Sequence, residues 1–321
     1  MKISVVIPIY NVAAYIERCL LSVMNQIYQD IECVLVDDAS PDNSLLMIKQ
    51  LLSSYKGTVS FTIISHEYNQ GVSAARNTGI KKATGDYIYF LDGDDELPPD
   101  GLKILLDAIL KYDAEIAVGA IKVTGGNSAG FPSLHVNKET CRNNEAVFSS
   151  YLRKEWYDMA WNKLIKKTTF KNWEEPFKTG IIHGEDSLFS FQLASKSRSV
   201  IIVPEITYYY HIHPASITQQ KSKKNIDSIY LIINEMITYA HKENLFASFS
   251  ELPSYLEKQR VYFIKSLIRG KFDKNYIREQ RNKIDRLYKK EVWNGNKRKM
   301  EFLLKDFVLS LWFYFTLLSL K

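Results

Sequence analysis

Asp92, Asp94 and Asp95 place three carboxylates in one short turn, the sequence LDGDD at 91–95, directly after the apolar run 87–91. That run is typical of a buried strand, and ligands of open α/β sheets bind at the carboxyl ends of strands. Neighbouring negative charges repel one another unless a cation or hydrogen-bond donors lie among them. A divalent ion shared with substrate phosphates would resolve this repulsion. A solvated acidic turn is the alternative, since Asp and Gly favour turns.

Other charged residues stand at similar positions. Asp37 and Asp38 end a second strand, and Glu185 and Asp186 precede an amphipathic run at 188–193. Arg76 follows a glycine-containing turn and opens a helix, where it could bind phosphate or hold the acidic cluster. Simpler explanations stay open, because acids also cap helices and favour their N-terminal ends.

The elements that must position these residues alternate in type up to about residue 120. Short apolar runs are interleaved with helical patterns, which predicts βαβ units and a parallel sheet. From 121 to 180 the pattern is irregular, with a loop at 125–128 and short helices predicted at 148–152 and 158–166. After about 220 the chain is predicted to be helical. The predicted strands are 3–9, 32–36, 59–65, 87–91 and 115–119, followed by short strands at 200–203 and 206–210.

Composition is ordinary for a globular chain of 321 residues, with 46% hydrophobic and 24% charged residues. The three cysteines, Cys19, Cys33 and Cys141, are scattered and show neither a disulfide framework nor metal-ligand spacing. We therefore expect a reducing compartment. The N-terminal residues read as a strand and lack the features of a signal peptide, which predicts a cytoplasmic location.

Charge is unevenly distributed within the net value of +6. Residues 221–321 carry a balance of +10, whereas residues 1–220 carry −4. A basic segment indicates an anionic partner, and we favour a phospholipid surface because no nucleic-acid-binding aromatic motif is visible. The apolar tail 307–320 is shorter than the roughly 18 residues that span a bilayer. It could lie at the cytoplasmic face of the inner membrane, or dock on its own domain.

Five motifs occur in order along the chain: VVIPIYN at 5–11, VDDAS at 36–40, NQGVSAARN at 69–77, LDGDD at 91–95 and GED at 184–186. Together they closely resemble the family 2 glycosyltransferases of the GT-A fold, which are inverting enzymes that use nucleotide-activated sugars. The resemblance covers about residues 1–218.

The resemblance implies an α/β architecture of the Rossmann-like GT-A type, with a mainly parallel sheet flanked by helices. It places this domain at 1–220, with a nucleotide-binding half at 1–120 and an acceptor-side half at 121–220. Residues 221–321 form a basic helical extension outside the resemblance.

By resemblance, one set of residues binds the nucleotide-sugar donor. Asp38 accepts a hydrogen bond from the base, Pro8 and Tyr10 shape the base and ribose pocket, and Asp92 binds ribose or supports the metal. Asp95 is a supporting residue or a sugar-hydroxyl contact. The complete donor set is Pro8, Tyr10, Asp38, Asn69, Gly71, Arg76, Asp92 and Asp95.

The resemblance also implies a metal ion and a base. Asp94 is the principal ligand of Mn²⁺ or Mg²⁺, assisted by Asp92 and His213, because all-oxygen sites suit these ions. A structural His213 is the alternative, and the nearby His211 stands where an Arg is common in the family. Asp186, paired with Glu185, is the general base that an inverting transfer requires.

Trp161, Asn162 and Lys163 match an acceptor-side motif of related enzymes. A Trp face against a sugar ring would suit this role, although a packed core Trp explains the same residue.

These features predict sugar transfer from a nucleotide donor, a UDP-hexose or UDP-N-acetylhexosamine, to a hydroxyl of a saccharide acceptor. A lipid-linked acceptor and a role in capsule, exopolysaccharide or lipopolysaccharide synthesis follow from the basic C-terminal segment. Two alternatives are a noncatalytic, membrane-associated sugar-nucleotide scaffold and a nucleotidylyltransferase of the same fold. The second needs a Gly-rich basic loop after the first strand, and residues 10–14 contain no basic residue.

Overall fold

The computed structural model describes residues 1–125, 140–143, 145–213, 222–270 and 272–293. They group into two compact units. The first contains the described residues of 1–180 and 185–213, and the second contains 181–184 together with those of 222–293.

The first unit is built on an eight-stranded sheet with the order β3-β2-β1-β4-β7-β5-β8-β6. Its N-terminal half is parallel: β1 pairs with β2 and β4, and β2 pairs with β3. Buried side chains on both faces make β1 and β2 near-continuous apolar runs, as a covered parallel sheet requires. The strands are β1 (Ile3–Ile9), β2 (Ile31–Asp37), β3 (Ser60–Ser65) and β4 (Tyr87–Phe90).

The other half of the sheet is mixed. β7 runs antiparallel to both β4 and β5, β8 runs parallel to β5, and β6 is antiparallel to β8. This confirms an α/β fold with a mostly parallel sheet of the GT-A type. The strands are β5 (Ile116–Thr124), β6 (Thr140–Asn143), β7 (Lys163–Lys166) and β8 (Ser199–His211).

Helices cover the sheet, and on one of its faces α1, α2 and α4 bury residues against β1, β2 and β4 in an apolar core. The free thiols of Cys19 and Cys33 lie in this core. The helices of this unit are α1 (Ile16–Met24), α2 (Ser44–Ser54), α3 (Val72–Lys82), α4 (Gly101–Tyr112), α5 (Glu145–Leu152) and α6 (Glu185–Lys196).

The second unit is helical, which agrees with the prediction for the C-terminal region. Arg260, fully buried on α9, holds it together through Glu257 at 2.7 Å and Asp285 of α10 at 2.5 Å. None of the described helices has the length and apolar character needed to cross a membrane. The helices are α7 (Lys223–Lys242), α8 (Leu245–Ser248), α9 (Leu252–Arg269) and α10 (Lys274–Glu291).

Two predictions of local structure are wrong. Residues 158–166 do not form a helix: Asn162 has a φ of 60°, which interrupts any helix, and β7 follows it. The two short strands at 200–203 and 206–210 are one strand, β8, whose irregular register opposite β5 absorbs Pro204. The helix at 148–152 is confirmed as α5. The tail 307–320, the basic residues 297–299 and most of the loop 125–128 lie outside the described residues.

Candidate active site

The acidic turn follows β4 and packs closely on the loop after β1. A Cβ atom added to Gly93 would lie 3.2 Å from Val12 Cγ2 and 3.3 Å from the Pro8 carbonyl oxygen, so the turn has little room for a side chain there. Asp94 Oδ2 lies 2.7 Å from His213 Nε2. The carboxylates of Asp92 and Asp94 are both partly exposed and reach the same edge of the sheet as the end of β8.

Asp95 points away from solvent. Tyr208 donates its hydroxyl to Asp95 Oδ2 at 2.6 Å, and the backbone N–H of His211 donates to Oδ1 at 2.8 Å. Burial, followed by the charges of Asp94 and Asp92, raises the pKa of Asp95 well above its ordinary value. Asp95 therefore fastens β8 to the acidic turn, which favours the supporting role over a sugar contact.

Arg76 links three carboxylates. Its Nη1 donates to Asp186 Oδ1 at 2.6 Å and to Glu185 Oε1 at 2.9 Å, and its Nη2 donates to Asp92 Oδ1 at 2.9 Å. The guanidinium also lies 5.2 Å from the ring centroid of Phe177. Burial alone lowers the pKa of Arg76, but the three carboxylates outweigh it and raise that pKa. The structure thus assigns Arg76 to holding the acidic cluster.

One cation does not balance these carboxylates. Burial raises the pKa of Asp186 to about 6, with Arg76 opposing and Glu185 adding to the rise. Burial likewise raises the pKa of Asp92 to about 6, against the effect of Arg76 and with that of Asp94. A carboxylate whose pKa lies near the working pH is suited to general base catalysis.

Lys163 supplies a second, more distant cation. The side chain is fully buried on β7, where Nζ donates to the carbonyl oxygen of Met159 and, at 3.2 Å, to Asn162 Oδ1. Burial lowers the pKa of Lys163 to about 7, and its charge in turn lowers the pKa of Asp186. Lys163 therefore acts on the predicted base through its field.

Trp161, Asn162 and Lys163 do not reach the surface. Trp161 is 3% exposed and stacks on Tyr208, with ring centroids 4.4 Å apart. Asn162 Nδ2 donates to the Gly119 carbonyl oxygen at 2.7 Å, which ties β7 to β5. All three side chains are enclosed by the protein, and their contact with the acceptor stays a prediction.

Asp38 is also enclosed, at 2% exposure. Its Oδ1 accepts the backbone N–H of Gln70 at 2.9 Å, and its Oδ2 accepts that of Gly71 at 2.7 Å. His66 Nδ1 lies 2.7 Å from Oδ1. Asp38 therefore shapes the loop before α3, and its contact with the nucleotide base stays a prediction.

Other residues of the predicted pocket for the nucleotide base are more exposed than Asp38. Tyr10 is 47% exposed, Pro8 is half-buried, and Asn69 lies exposed on the loop before α3. Gly71 precedes α3 with a φ of 89°, a left-handed conformation that suits glycine. These positions leave the aromatic side chain of Tyr10 accessible to a nucleotide, whereas the N–H and the carbonyl of Gly71 are already hydrogen-bonded to Asp38 and Ala75.

Several contacts near the site have no signal in the sequence. The side chain of Arg18 binds the Asp94 carbonyl oxygen at 2.8 Å and the Glu96 carboxylate at 2.9 Å. His211 lies 2.6 Å from Glu96. Burial, followed by the charge of Arg18, lowers the pKa of His211. His211 thus belongs to a network beside the acidic turn.

The residues present suit a divalent ion that is shared with a substrate. The described residues contain no group of three or more His, Cys, Asp and Glu side chains that could hold a metal. The partly exposed carboxylates of Asp92 and Asp94, with His213 Nε2 beside Asp94, offer oxygen and nitrogen donors at one place. Mg²⁺ is typically held by one or two carboxylates together with substrate phosphates.

Comparison with known families identifies the class of protein. Residues 4–195 match the model of glycosyl transferase family 2, and the chain belongs to this family. Glycosyltransferase GlyA of Streptococcus pneumoniae is 30% identical over 246 residues, which are 74% of this chain and 34% of that protein. A poly(ribitol-phosphate) beta-glucosyltransferase of Bacillus spizizenii is 33% identical over 213 residues, 65% of this chain and 32% of that protein. The chain thus spans about a third of the length of these two relatives.

Solved structures share the fold. Residues 1–349 of S. aureus TarS in complex with UDP-GlcNAc align with a TM-score of 0.64 at 20% identity, covering 84% of this chain and 83% of that one. A mannosyltransferase of Pyrobaculum calidifontis in complex with GDP-Man and Mn²⁺ aligns with a TM-score of 0.57 at 16% identity, covering 97% and 80%. The chain is thus a family 2 glycosyltransferase with a GT-A fold.

Proposed function

We propose that this glycosyltransferase transfers one sugar, with inversion, from a UDP-sugar to a hydroxyl of a surface-polysaccharide acceptor. A UDP-hexose or UDP-N-acetylhexosamine is the donor. The relatives' names support this proposal, since one acts on poly(ribitol phosphate), and a structural neighbour is in complex with UDP-GlcNAc.

One observation carries the proposal: Arg76 holds Asp186 and Asp92 on the same guanidinium. Asp92 belongs to the turn predicted to bind the donor, and Asp186 is the predicted base. A single-step inversion needs a base close to the donor but on the opposite face of the sugar from the leaving diphosphate. The shared guanidinium keeps these two carboxylates near one another.

The residues of the site have separate roles in the transfer. Tyr10 and Pro8 border the nucleotide, and Asp186 accepts the proton of the acceptor hydroxyl as that oxygen bonds to the anomeric carbon and the bond to the diphosphate breaks. Asp94, Asp92 and His213 would hold Mn²⁺ or Mg²⁺, which would neutralise the negative charge on the departing diphosphate. Arg76 orients Asp186 throughout.

Screening UDP-sugars for thermal stabilisation with Mn²⁺ identifies the donor, and transfer of a labelled sugar to oligosaccharides tests the base. Asp186→Asn is expected to reduce turnover by about 10²–10⁴-fold while donor binding stays nearly unchanged. Asp107→Asn, an exposed acid on α4, is the matched control. Turnover by Asp186→Asn at the wild-type rate would show that Asp186 is not the base. A wild-type protein that binds UDP-sugars without transfer or hydrolysis would instead support the noncatalytic scaffold.

A lipid-linked acceptor and a peripheral position at the cytoplasmic face of the membrane belong to the same proposal. The positive balance of residues 221–321 supports them. Flotation of the full chain with vesicles containing anionic lipids tests the contact, with vesicles of neutral lipid as the control. Absence of flotation with anionic vesicles would exclude it.

A further inference from the structure

A cavity lies at the edge of the sheet opposite to the acidic turn. This basal cavity has a volume of about 820 Å³ and is lined by residues at the start of β4 and at the ends of α3, α4 and β7. It touches Tyr87, the first residue of β4, whereas the acidic turn follows the last residue. The length of the strand separates the two places by roughly 13 Å. The basal cavity is therefore distinct from the candidate active site.

Lysines and carboxylates line the basal cavity in similar numbers: Lys81, Lys166, Lys167 and Lys171 stand with Asp86, Asp113 and Glu174. Lys81 and Lys171 are exposed and Lys166 is half-buried, and within the described residues none of these ammonium groups has a carboxylate partner. Lys167 also lines the cavity, but it donates to the Ala83 carbonyl oxygen at 2.5 Å and is already committed. Lysine binds phosphate as a point charge, so three unpaired ammonium groups around one hollow favour a phosphate.

The remaining lining suits a hydroxyl-bearing ligand. Asp86, Asp113 and Glu174 place carboxylates that can accept hydrogen bonds from hydroxyl groups. Trp173 borders the same space and is half-buried, but its ring stacks on Phe170 and Phe189, with centroids 6.0 and 5.6 Å apart, and lies 5.5 Å from Lys196 Nζ. The carboxylates therefore carry the recognition of the hydroxyls, and the volume lies in the range of small-molecule sites.

We propose that the basal cavity binds a sugar phosphate or polyol phosphate unit, with the phosphate on Lys81, Lys166 and Lys171 and the hydroxyls on the carboxylates. The unit could be a free sugar phosphate or one repeat of a phosphate-containing polymer. The polymer source rests on the proposed function and also requires that the surface-polysaccharide acceptor contain phosphate in its repeats. The binding itself does not rest on it.

Calorimetric titration of the full chain with glucose 6-phosphate, glucose and inorganic phosphate, without any UDP-sugar, tests the site. Glucose 6-phosphate is expected to bind more tightly than glucose or phosphate alone. Lys81→Glu should weaken this binding by about tenfold, because it replaces a cation by an anion at the phosphate position. Lys82→Glu is the matched control, since Lys82 is exposed on the same last turn of α3 but does not line the cavity.

Equal weakening by Lys81→Glu and Lys82→Glu would show a general charge effect and overturn the proposal. Equal affinity for glucose 6-phosphate and inorganic phosphate would also overturn it, as would the absence of glucose 6-phosphate binding. Titration with a short poly(ribitol phosphate) chain separates the sources: tighter binding per repeat supports the polymer, and equal binding supports the free sugar phosphate. These measurements contain no transfer step. If the Asp186→Asn experiment contradicts the proposed function, the result of these binding measurements therefore still stands.

Discussion

Arg76 Nη1 lies 2.6 Å from Asp186 Oδ1, although 110 positions separate the two residues in the chain. Arg76 stands in the first half of α3, and Asp186 stands at the start of α6. The same guanidinium contacts Asp92 after β4. The position of the predicted base and that of the acidic turn therefore depend on one buried side chain.

Replacing Arg76 should destabilise the fold. Arg76→Ala leaves three acidic side chains without their cation, and breaking a buried ion pair in this way costs about 3–5 kcal/mol. Urea unfolding at pH 7 measures the free energy of unfolding. The deficit should shrink at pH 5, because the abandoned carboxylates can then be protonated.

Arg76→Lys tests the geometry. It keeps the positive charge, but the single ammonium of lysine cannot contact both Asp92 and Asp186 as the planar guanidinium does. It should lie between the wild type and Arg76→Ala in stability. Lys103→Ala removes an exposed pair with Asp107 on α4 and is the control, with an expected effect of about 0.5 kcal/mol or less. Equal effects of Arg76→Ala and Lys103→Ala would show that Arg76 is not the central cation.

The parallel half of the sheet, the acidic turn and its position at a strand end could be predicted from the sequence, because they depend on local apolar runs and on motifs at the ends of those runs. β4 occurs as predicted, and Asp92 and Asp94 follow it. The convergence of Asp186 on this turn could be predicted only through the family resemblance. No spacing rule brings α6 beside α3.

For several buried side chains, the sequence alone could not decide between alternative roles. Asp95 resembles Asp94 in sequence, yet only Asp95 is enclosed, because Tyr208, 113 positions later, donates to it. Trp161 and Asn162 matched an acceptor motif, but tertiary contacts with Tyr208 and Gly119 place them in the interior. Burial depends on residues distant in the chain, and no local pattern encodes it.

Removing the charge of Asp186 should stabilise the protein at neutral pH. Its pKa in the folded state is about 6, above the ordinary value of 3.8. The folded state therefore binds more protons than the unfolded state between pH 4 and 6, and the contribution of Asp186 to stability falls as the pH rises through this window. Asp186→Asn should raise the free energy of unfolding by about 1–3 kcal/mol at pH 7 and by little at pH 4.

Thermal unfolding of both proteins at pH 4 and pH 7 measures this difference, with Asp107→Asn as the exposed control. A stabilisation of the same size at both pH values would contradict the assignment, since it would not depend on the charge of Asp186.

The pH dependence of transfer should report the same carboxylate. A base must be unprotonated, so kcat/KM is expected to fall as the pH decreases through about 6. Lys163→Met removes a cation that lowers the pKa of Asp186, and it should move this acidic limb to higher pH. Lys103→Met, an exposed lysine on α4, is the control and should leave the limb unchanged. An unshifted limb in a folded Lys163→Met variant would exclude the electrostatic role of Lys163.

Metal binding should depend on Asp94 more than on His213. Asp94→Asn removes the charged oxygen donor, and the affinity for Mn²⁺ in the presence of UDP should fall by about tenfold or more. His213→Ala should have a smaller effect, because hard cations prefer oxygen ligands. Electron paramagnetic resonance of free Mn²⁺ measures both. Asp100→Asn, an exposed acid before α4, is the control. Unchanged affinity in Asp94→Asn would remove Asp94 from the metal site.

Asn162 distinguishes a structural role from an acceptor contact. Its φ of 60° and its bond to the Gly119 carbonyl oxygen predict that Asn162→Ala costs about 2–4 kcal/mol, from left-handed strain and the lost hydrogen bond. Asn162→Gly relieves the strain but not the loss of the bond, so it should fall between the wild type and Asn162→Ala. Urea unfolding gives this order, and kinetics at varied acceptor concentration give KM. If Asn162→Gly keeps wild-type stability and only the KM for the acceptor rises, Asn162 contacts the acceptor after all.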